Sequence, residues 1–410
     1  MSLLLKGCQI IDATTPETRR DRYVLVEGDT IKEVGAGPLP RADRTLDVGD
    51  CFLLPGLWDA HTHLTSGTWS PSEVDSGPVA TTLTMGRNAM DALQVGVTSM
   101  RVLGTEHWED VAWREAFRSG QFVGPRLFCA GQGLRPTAGH GLTLAIGGIE
   151  LFDGADSYVK AVRNQIEHGV DQIKLITTGG IMGTGHDVVD AIMFSKDELE
   201  AAVRIAHQRG VPVACHATCP KAVKWAAQLG VRSIEHGYIL DEEAAALMAR
   251  QGVYYVPTLA LSHLTTDQAT TQSQKEYCER NPLPDGFRKR ANHFAPIHEE
   301  SLRMAVQAGV KIASGSDQGP PRDAALLELE QLAYCGLGPY GAIVAATLTS
   351  AEVCGAQDRL GTVEPGKLAD LIVVDADPLD DIQNLRRIQL VLKGGRVVLD
   401  KQSGAEALTG

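Results

Sequence analysis

His61 and His63 stand one residue apart at the end of the apolar run Leu53-Leu54-Pro55-Gly56-Leu57-Trp58-Asp59-Ala60-His61-Thr62-His63-Leu64. In a strand, side chains at i and i+2 share a face, so the two imidazoles point the same way, as ligands of one metal ion would. Comparable polar residues recur downstream. Lys174 interrupts the apolar stretch Asp171-Gln-Ile-Lys-Leu-Ile176, His216 follows Ala214-Cys215, His236 follows Ile234-Glu235, and Asp317 ends Ser314-Gly-Ser-Asp. They lie five, six, six and eight residues beyond the glycines of Gly169-Val170, Gly210-Val211, Gly230-Val231 and Gly309-Val310. Taken singly, each has a purely structural explanation: a lysine snorkelling outward, histidines satisfied in a core, an aspartate capping a turn. Their regular placement argues instead for one converging site. Four neutral imidazoles and a carboxylate are nitrogen and oxygen ligands suited to Zn²⁺, and two such ions call for an anionic bridge. A lysine ammonium cannot ligate a cation, but desolvation lowers its pKa. The neutral amine can then capture carbon dioxide as a carbamate with two oxygens, which would make Lys174 the bridge.

The elements that must position these residues are legible from punctuation. Gly-Val occurs at residues 96, 169, 210, 230, 252 and 309, each time after a helical pattern and before a short apolar strand. Glycine there supplies the left-handed residue that ends a helix. Ser195-Lys-Asp-Glu198 is a capping box opening another helix. Counting gives strands near 53–57, 98–102, 126–130, 172–177, 212–215, 233–235, 254–258 and 311–314. Eight alternating units over about 270 residues predict an α/β fold, a (β/α)₈ TIM barrel, with a doubly wound sheet as the alternative. In a barrel the strand carboxyl ends carry the chemistry, where these residues fall. Short strand-like segments at both chain ends predict a composite β-sandwich domain of residues 1–54 and 360–410 beside a barrel of 55–359.

The formal net charge of −13 and the absence of a basic, aromatic-interleaved stripe argue against nucleic acid as a partner. No apolar run approaches the roughly 18 residues that span a bilayer, and Met1-Ser-Leu-Leu-Leu-Lys6 lacks the length and basic start of a signal peptide. A cytoplasmic protein without membrane association is expected, and a homo-oligomer. The eight cysteines include no C-x-x-C pair and read as free buried thiols. A thiolate site at Cys215 and Cys219, flanking His216, is the weaker reading.

Taken together, Pro55-Gly-Leu-Trp-Asp-Ala-His61-Thr-His63, Asp171-Gln-Ile-Lys174, Glu235-His236-Gly237, Gly315-Ser-Asp317 and the closing Leu360-Gly-Thr-Val-Glu-Pro-Gly-Lys-Leu-Ala-Asp-Leu371 resemble the amidohydrolase superfamily along nearly the whole chain. The resemblance is strongest to its branch of prolidase-like and carboxypeptidase-like dipeptidases related to imidazolonepropionase. It implies two zinc ions, His61, His63 and Asp317 holding the first, His216 and His236 the second, and carboxylated Lys174 both. Asp317 would act as the proton acceptor and donor of catalysis. In the resembling dipeptidases the histidine of a Gly-His segment faces substrate, which assigns that role to His140 within Gly131–Gly141. Arg135, Tyr238 and the 179–186 loop are further substrate candidates. Thr218 stands where those dipeptidases often carry tyrosine, a departure at the point of carboxylate recognition. The expected activity is metal-dependent hydrolysis of the amide bond of a small-molecule dipeptide or N-acyl amino acid. The alternatives are a cyclic amide, urea or carbamate, including xenobiotic amides of the ochratoxin type, and an inactive scaffold. The polar stretch 262–296 reads as a long loop, serving as a lid or an oligomer contact.

Overall fold

All six glycines of the Gly-Val pairs adopt left-handed backbone: φ is +89° at Gly96, +81° at Gly169, +68° at Gly210, +76° at Gly230, +66° at Gly252 and +82° at Gly309. Each follows a helix, respectively Gly77–Gln94, Ala155–Glu167, Lys196–Gln208, Pro220–Gln228, Glu242–Gln251 and Asp285–Gln307. In this computed structural model the described residues are 1–65, 77–141 and 149–401, so the end of the expected terminal module, 402–410, lies outside them. The Ser195–Glu198 capping box forms with both of its reciprocal hydrogen bonds.

The strands after these glycines pair in parallel. Leu57–Thr62, Val97–Val102 and Arg126–Cys129 form a three-stranded sheet. Ile149–Leu151, Gly133–Arg135, Ile173–Ile176, Val213–Ala217, Ser233–His236 and Tyr254–Val256 form a six-stranded one in that order. Leu57–Thr62 and Val97–Val102 are buried at every position, as parallel strands covered on both faces must be. Backbone bonds join the two sheets: Asp171 N donates to Cys129 O at 2.8 Å, Ala313 N to Tyr255 O at 2.9 Å, and Ala60 N to Ser314 O at 2.7 Å.

Two expectations about strands need correction. The first strand, read as 53–57, is two elements that part at Gly56. Phe52–Pro55 joins the terminal sheet, and Leu57–Thr62 carries the histidines. A Cβ at Gly56 would lie 2.2 Å from Thr98 Oγ1, so only glycine lets the chain pass there. The eighth strand, read as 311–314, is reduced to one parallel bridge between Tyr255 and Ile312.

Both chain ends build a single eight-stranded sheet, in the order Arg396–Asp400, Ile388–Lys393, Leu371–Val374, Phe52–Pro55, Ser2–Ile10, Arg19–Glu27, Thr30–Gly35, with Arg44–Asp47 also pairing Ser2–Ile10. No second facing sheet is present among the described residues, as a sandwich would require. Alternation gives this sheet two apolar faces. Leu53, Leu371, Val373, Leu390 and Leu392 pack in the sheet's own core, whereas Leu54, Ile372, Val374 and Val391 join the main core of the parallel strands and helices. The terminal sheet is thereby welded to the body that carries the site.

The stretch 262–296 is mostly helical rather than a loop. The Thr271–Gln274 capping box starts helix Gln272–Arg280, and Asp285–Gln307 follows with Pro296 inside it. Pro282, Pro284 and Gly286 lie before or within the first turn of that helix, where breakers are tolerated. One helical stretch, Pro321–Val353, is apolar and long enough to cross a bilayer by composition, with mean hydropathy 1.3 over its best window. Gly336, at φ +127°, divides it, and Leu326, Leu329, Leu332 and Ile343 sit in the main core, which accounts for its character.

Left-handed backbone costs a residue with a Cβ about 1–2 kcal/mol. At Gly210 the Cβ would meet nothing within 4 Å, whereas at Gly96 it would lie 3.0 Å from Ile372 Cγ2 and from Ile388 Cδ1, where the terminal sheet meets the main core. Gly96→Ala should therefore lower the urea midpoint more than Gly210→Ala. Equal midpoints would contradict this account of how the terminal sheet is attached.

Candidate metal centre

The six candidate ligands come from five places in the chain and meet at one mouth. His61 is at the carboxyl end of Leu57–Thr62, with His63 just beyond it; Lys174 lies within Ile173–Ile176, His216 within Val213–Ala217, and His236 ends Ser233–His236. Pairing sets Ile176 opposite His216 and Ala217 opposite His236. Lys174 Nζ lies 3.3 Å from His61 Nε2. Asp317 Oδ1 is 3.1 Å from His63 Nε2 and 3.5 Å from His61 Nε2, and its Oδ2 is 3.8 Å from His236 Nδ1. The His216 and His236 rings are 4.4 Å apart, and those of His61 and His236 5.0 Å. All six line one cavity, together with His140, Tyr238 and the apolar Leu103, Ile176, Ile181, Met182 and Leu261.

Each imidazole is anchored through one nitrogen, and the partner fixes which. His61 Nδ1 donates to Glu235 Oε2 at 2.8 Å, and His63 Nδ1 to the Gly104 carbonyl at 3.3 Å. His216 Nε2 donates to the Gly179 carbonyl at 3.0 Å. Thr258 gives its own proton to the Pro257 carbonyl, so its Oγ1 accepts from His236 Nδ1 at 2.8 Å. Of the opposite nitrogens, His61 Nε2 meets Lys174 Nζ at 3.3 Å and His63 Nε2 meets Asp317 Oδ1 at 3.1 Å, so both turn toward the other candidate ligands, and anchoring one ring nitrogen in this way is how proteins orient metal-binding histidines.

Electrostatics favour the same use. Burial, then the neighbouring Lys174, brings His61 down to about 4, and burial holds His216 and His236 well below the ordinary imidazole value, so all three are neutral. Burial also lowers Lys174. Burial opposes ionisation of Asp317, but His61, His63 and Lys174 outweigh it and hold the carboxyl well below its usual range. Ligand atoms of His61, His236 and Asp317 lie within 4.8 Å of one another. Neutral nitrogen donors around an ionised carboxylate, with a desolvated amine between them, fit divalent cations.

The sequence profile of the amidohydrolase family matches residues 52–398. The chain belongs to the amidohydrolase family. Ochratoxinase of Aspergillus niger is 30% identical over 375 residues, spanning 84% of this chain and 75% of that protein. A prolidase crystal structure complexed with N-methylphosphonate-L-proline superposes with a TM-score of 0.87 at 28% identity, covering 98% of this chain and 100% of that one. A Xaa-Pro dipeptidase with methionine bound in its active site gives 0.84 at 28% identity, covering 97% and 99%. Like these relatives, this amidohydrolase is a hydrolase acting on C–N bonds.

The other residues singled out in the sequence of this amidohydrolase divide. His140 lines the cavity, its Nδ1 2.8 Å from Asp187 Oδ2 and its ring 5.0 Å from that of His216. Tyr238 lines it too, stacked on His236 at 5.6 Å. Arg135 does not belong with them: its Nη1 donates to the carbonyls of Gly139 and His140 at 3.1 and 2.6 Å, so it holds the loop bearing His140 and is corrected from a substrate contact to a support. Thr218 is likewise spent on Thr178 Oγ1 at 2.7 Å and on the Gly179 and Val189 carbonyls, inside the loop wall. In the 179–186 loop, Gly180, Ile181 and Met182 line the cavity. All eight cysteines are free, and burial pushes Cys215 up to about 12, so it stays a thiol.

Sequence reasoning missed four supporting residues. Arg101 and Glu235 are fully buried, with Arg101 Nη2 2.8 Å from both carboxylate oxygens. Asp59 accepts from Ser316 N and Oγ, at 2.9 and 2.6 Å, and Asp187 holds His140. Arg101 interrupts the apolar run Ser99-Met-Arg-Val-Leu103 just as Lys174 interrupts its own, so that signal was present. Asp187, in an irregular loop, offered none.

Removing one member of a buried ion pair strands the other charge, at a cost of about 3–5 kcal/mol. Arg101→Met should lose that much in urea unfolding, and Arg101→Met with Glu235→Gln should recover part of it. A single variant within about 1 kcal/mol of wild type would show that the pair does not hold these strands.

Proposed function

We propose that this amidohydrolase is a binuclear zinc enzyme cleaving the amide bond of a dipeptide or N-acyl amino acid, with its parallel strands closing into a (β/α)₈ barrel at whose carboxyl mouth the reaction occurs. The backbone bonds linking the two parallel sheets through 171–172 and 311–314 support the closed ring. On this reading residues 55–359 are the barrel, and 1–54 with 360–410 the accessory module. The observation that carries the zinc reading is the anchoring of all four imidazoles, each through one nitrogen, around one cavity that also holds Lys174 and Asp317.

His61, His63 and Asp317 would hold one ion, His216 and His236 the other. Lys174, whose pKa burial lowers, would add as its free amine to carbon dioxide with loss of a proton and bridge them as a carbamate. When bound, two divalent ions supply Lewis acidity that polarises the scissile carbonyl and lowers the pKa of water. Asp317, ionised and facing both His61 and His63, accepts the proton of the attacking water and returns it to the leaving amine. His140, fixed by Asp187, meets the substrate carbonyl or carboxylate, and Tyr238 packs beside it. Leu103, Ile176, Ile181, Met182 and Leu261 give the rest of the cavity an apolar wall suited to one hydrophobic side of the substrate. That wall, with the likeness to ochratoxinase, gives a second reading in which a bulky xenobiotic amide is the substrate.

The zinc-loaded protein should hydrolyse members of a library of dipeptides and N-acyl amino acids, and turnover confined to cyclic amides, ureas or carbamates would overturn the assignment. Asp317→Asn should lower kcat by about 10²- to 10⁴-fold with zinc still bound. Activity retained in that variant would refute the role given to Asp317.

A further inference from the structure

A second trio of ligand-type side chains lies apart from the six described above. His263 ends the short helix Ala260–His263, Glu299 stands on helix Asp285–Gln307, and Cys335 follows Pro321–Leu332 at the kink before Gly336. One ligand atom from each lies within 4.8 Å of the other two. His263 Nδ1 lies 3.2 Å from the Leu259 carbonyl, which can only accept, so Nδ1 carries the proton and Nε2 is a bare lone pair. That Nε2 is buried and has no hydrogen-bond partner among the described residues. A buried polar atom left unpaired is costly, and an imidazole preset in one tautomer with its other nitrogen idle is the arrangement of a metal ligand. Glu299 is exposed, and His263 and Cys335 are half-buried, so the trio lies at the edge of the protein rather than in its core.

We propose that Cys335 Sγ, His263 Nε2 and the Glu299 carboxylate form a separate site for one thiophilic divalent cation such as Zn²⁺, with water completing the coordination. Sulfur, nitrogen and oxygen together favour zinc over calcium or magnesium, and sulfur separates this site from the central cluster, which uses none. Binding replaces the S–H bond by a metal–sulfur bond and releases that proton to solvent. Burial, with Glu299 and Glu328 nearby, raises the thiol to about 12, so affinity should climb with pH. A run of hydrogen bonds fixes His263 from behind: Ser262 Oγ is 2.9 Å from His263 Nδ1 and 2.8 Å from His298 Nδ1, and His298 Nε2 donates to the His236 carbonyl at 2.9 Å.

The test uses the full-length protein loaded with zinc and, in parallel, exchanged with Co²⁺. Wild type should hold one zinc per chain more than Cys335→Ser, and the cobalt form should show a near-ultraviolet sulfur-to-cobalt charge-transfer band that Cys335→Ser loses. His61→Asn should keep the band, which separates this site from the central one. Equal zinc content in wild type and Cys335→Ser, or a band that survives that substitution, would overturn the proposal. Should Cys335→Ser fail to fold, Glu299→Gln, at an exposed position, decides the matter: the band should need about tenfold more Co²⁺ or greater. An unchanged titration would overturn the site.

Discussion

Two opposite charges without solvent exposure, Arg101 and Glu235, meet between the parallel strands, and the order of the site follows from their pairing. A carboxylate buried alone would take up a proton rather than remain charged. Burial does push Glu235 upward, but Arg101, His61 and Lys174 outweigh it and bring it down to about 2, so it remains an acceptor near neutral pH. Three further bonds complete the arrangement. Arg101 Nη1 donates to Ser233 Oγ at 2.8 Å, Arg101 Nε to the Ala60 carbonyl, and Ser233 Oγ to Glu235 Oε1 at 2.5 Å. Glu235 Oε2, which also accepts from Arg101 Nη2, accepts a hydrogen bond from His61 Nδ1. One network therefore ties Leu57–Thr62, Val97–Val102 and Ser233–His236 together and also decides which nitrogen of His61 faces the cavity.

Above the strand ends the problem changes from charge to backbone. Irregular loops carry carbonyls that need donors when buried, and several polar side chains near the mouth are consumed in supplying them. Arg135 serves the carbonyls of Gly139 and His140, and Arg290 Nε serves that of Ile181 at 2.6 Å. Asp187 accepts from His140 Nδ1 and from Gly141 N and Gly180 N, uniting two loops through one carboxylate. Phe287 and Ala291 of helix Asp285–Gln307 pack with Ile181, Met182, Tyr238 and Leu261, so a stretch distant in sequence supports the cavity wall. After these demands are met, few polar groups face the cavity beyond the six and His140. Selectivity then rests on shape and an apolar surface steered by a small number of polar contacts.

What was legible in the sequence reflects how locally each feature is encoded. A left-handed glycine before a strand and a capping box are written within a few residues, and all six Gly-Val turns and the Ser195 box form as read. Polar residues inside apolar strands were equally visible, and His61, His63, Lys174, His216, His236 and Asp317 share one cavity. Position alone, however, cannot distinguish a side chain facing the mouth from one spent beneath it. Arg135 was read as facing substrate, and Thr218 as a departure at the point of carboxylate recognition, because the partners that occupy both lie in loops whose path no periodicity fixes. The 262–296 helices were missed because Pro282, Pro284, Gly286 and Pro296 punctuate a mostly polar stretch, although Phe287, Ala291 and Ala295 recur every four residues on a buried face. Phe52–Pro55 and Leu57–Thr62 ran together because both are apolar, and only the close approach of Thr98 to Gly56 separates them.

The strand ends also carry strain at the residues that matter. Seven described residues other than glycine have positive φ, and three of them are His236 at +69°, its partner Thr258 at +55° and Asp317 at +48°. Such backbone costs about 1–2 kcal/mol per residue and persists only where surrounding bonds over-determine it. Here they do. Asp317 N donates to the His61 carbonyl at 2.7 Å, while the His236 carbonyl accepts from Tyr255 Oη at 2.9 Å and from His298 Nε2 at 2.9 Å. A left-handed turn at the last strand residue lets the side chain lean over the mouth while the chain departs into its loop, which extended backbone would not permit. Tyr255 and His298, which do not line the cavity, are therefore part of its geometry: they hold the carbonyl whose position keeps the His236 ring where it can act.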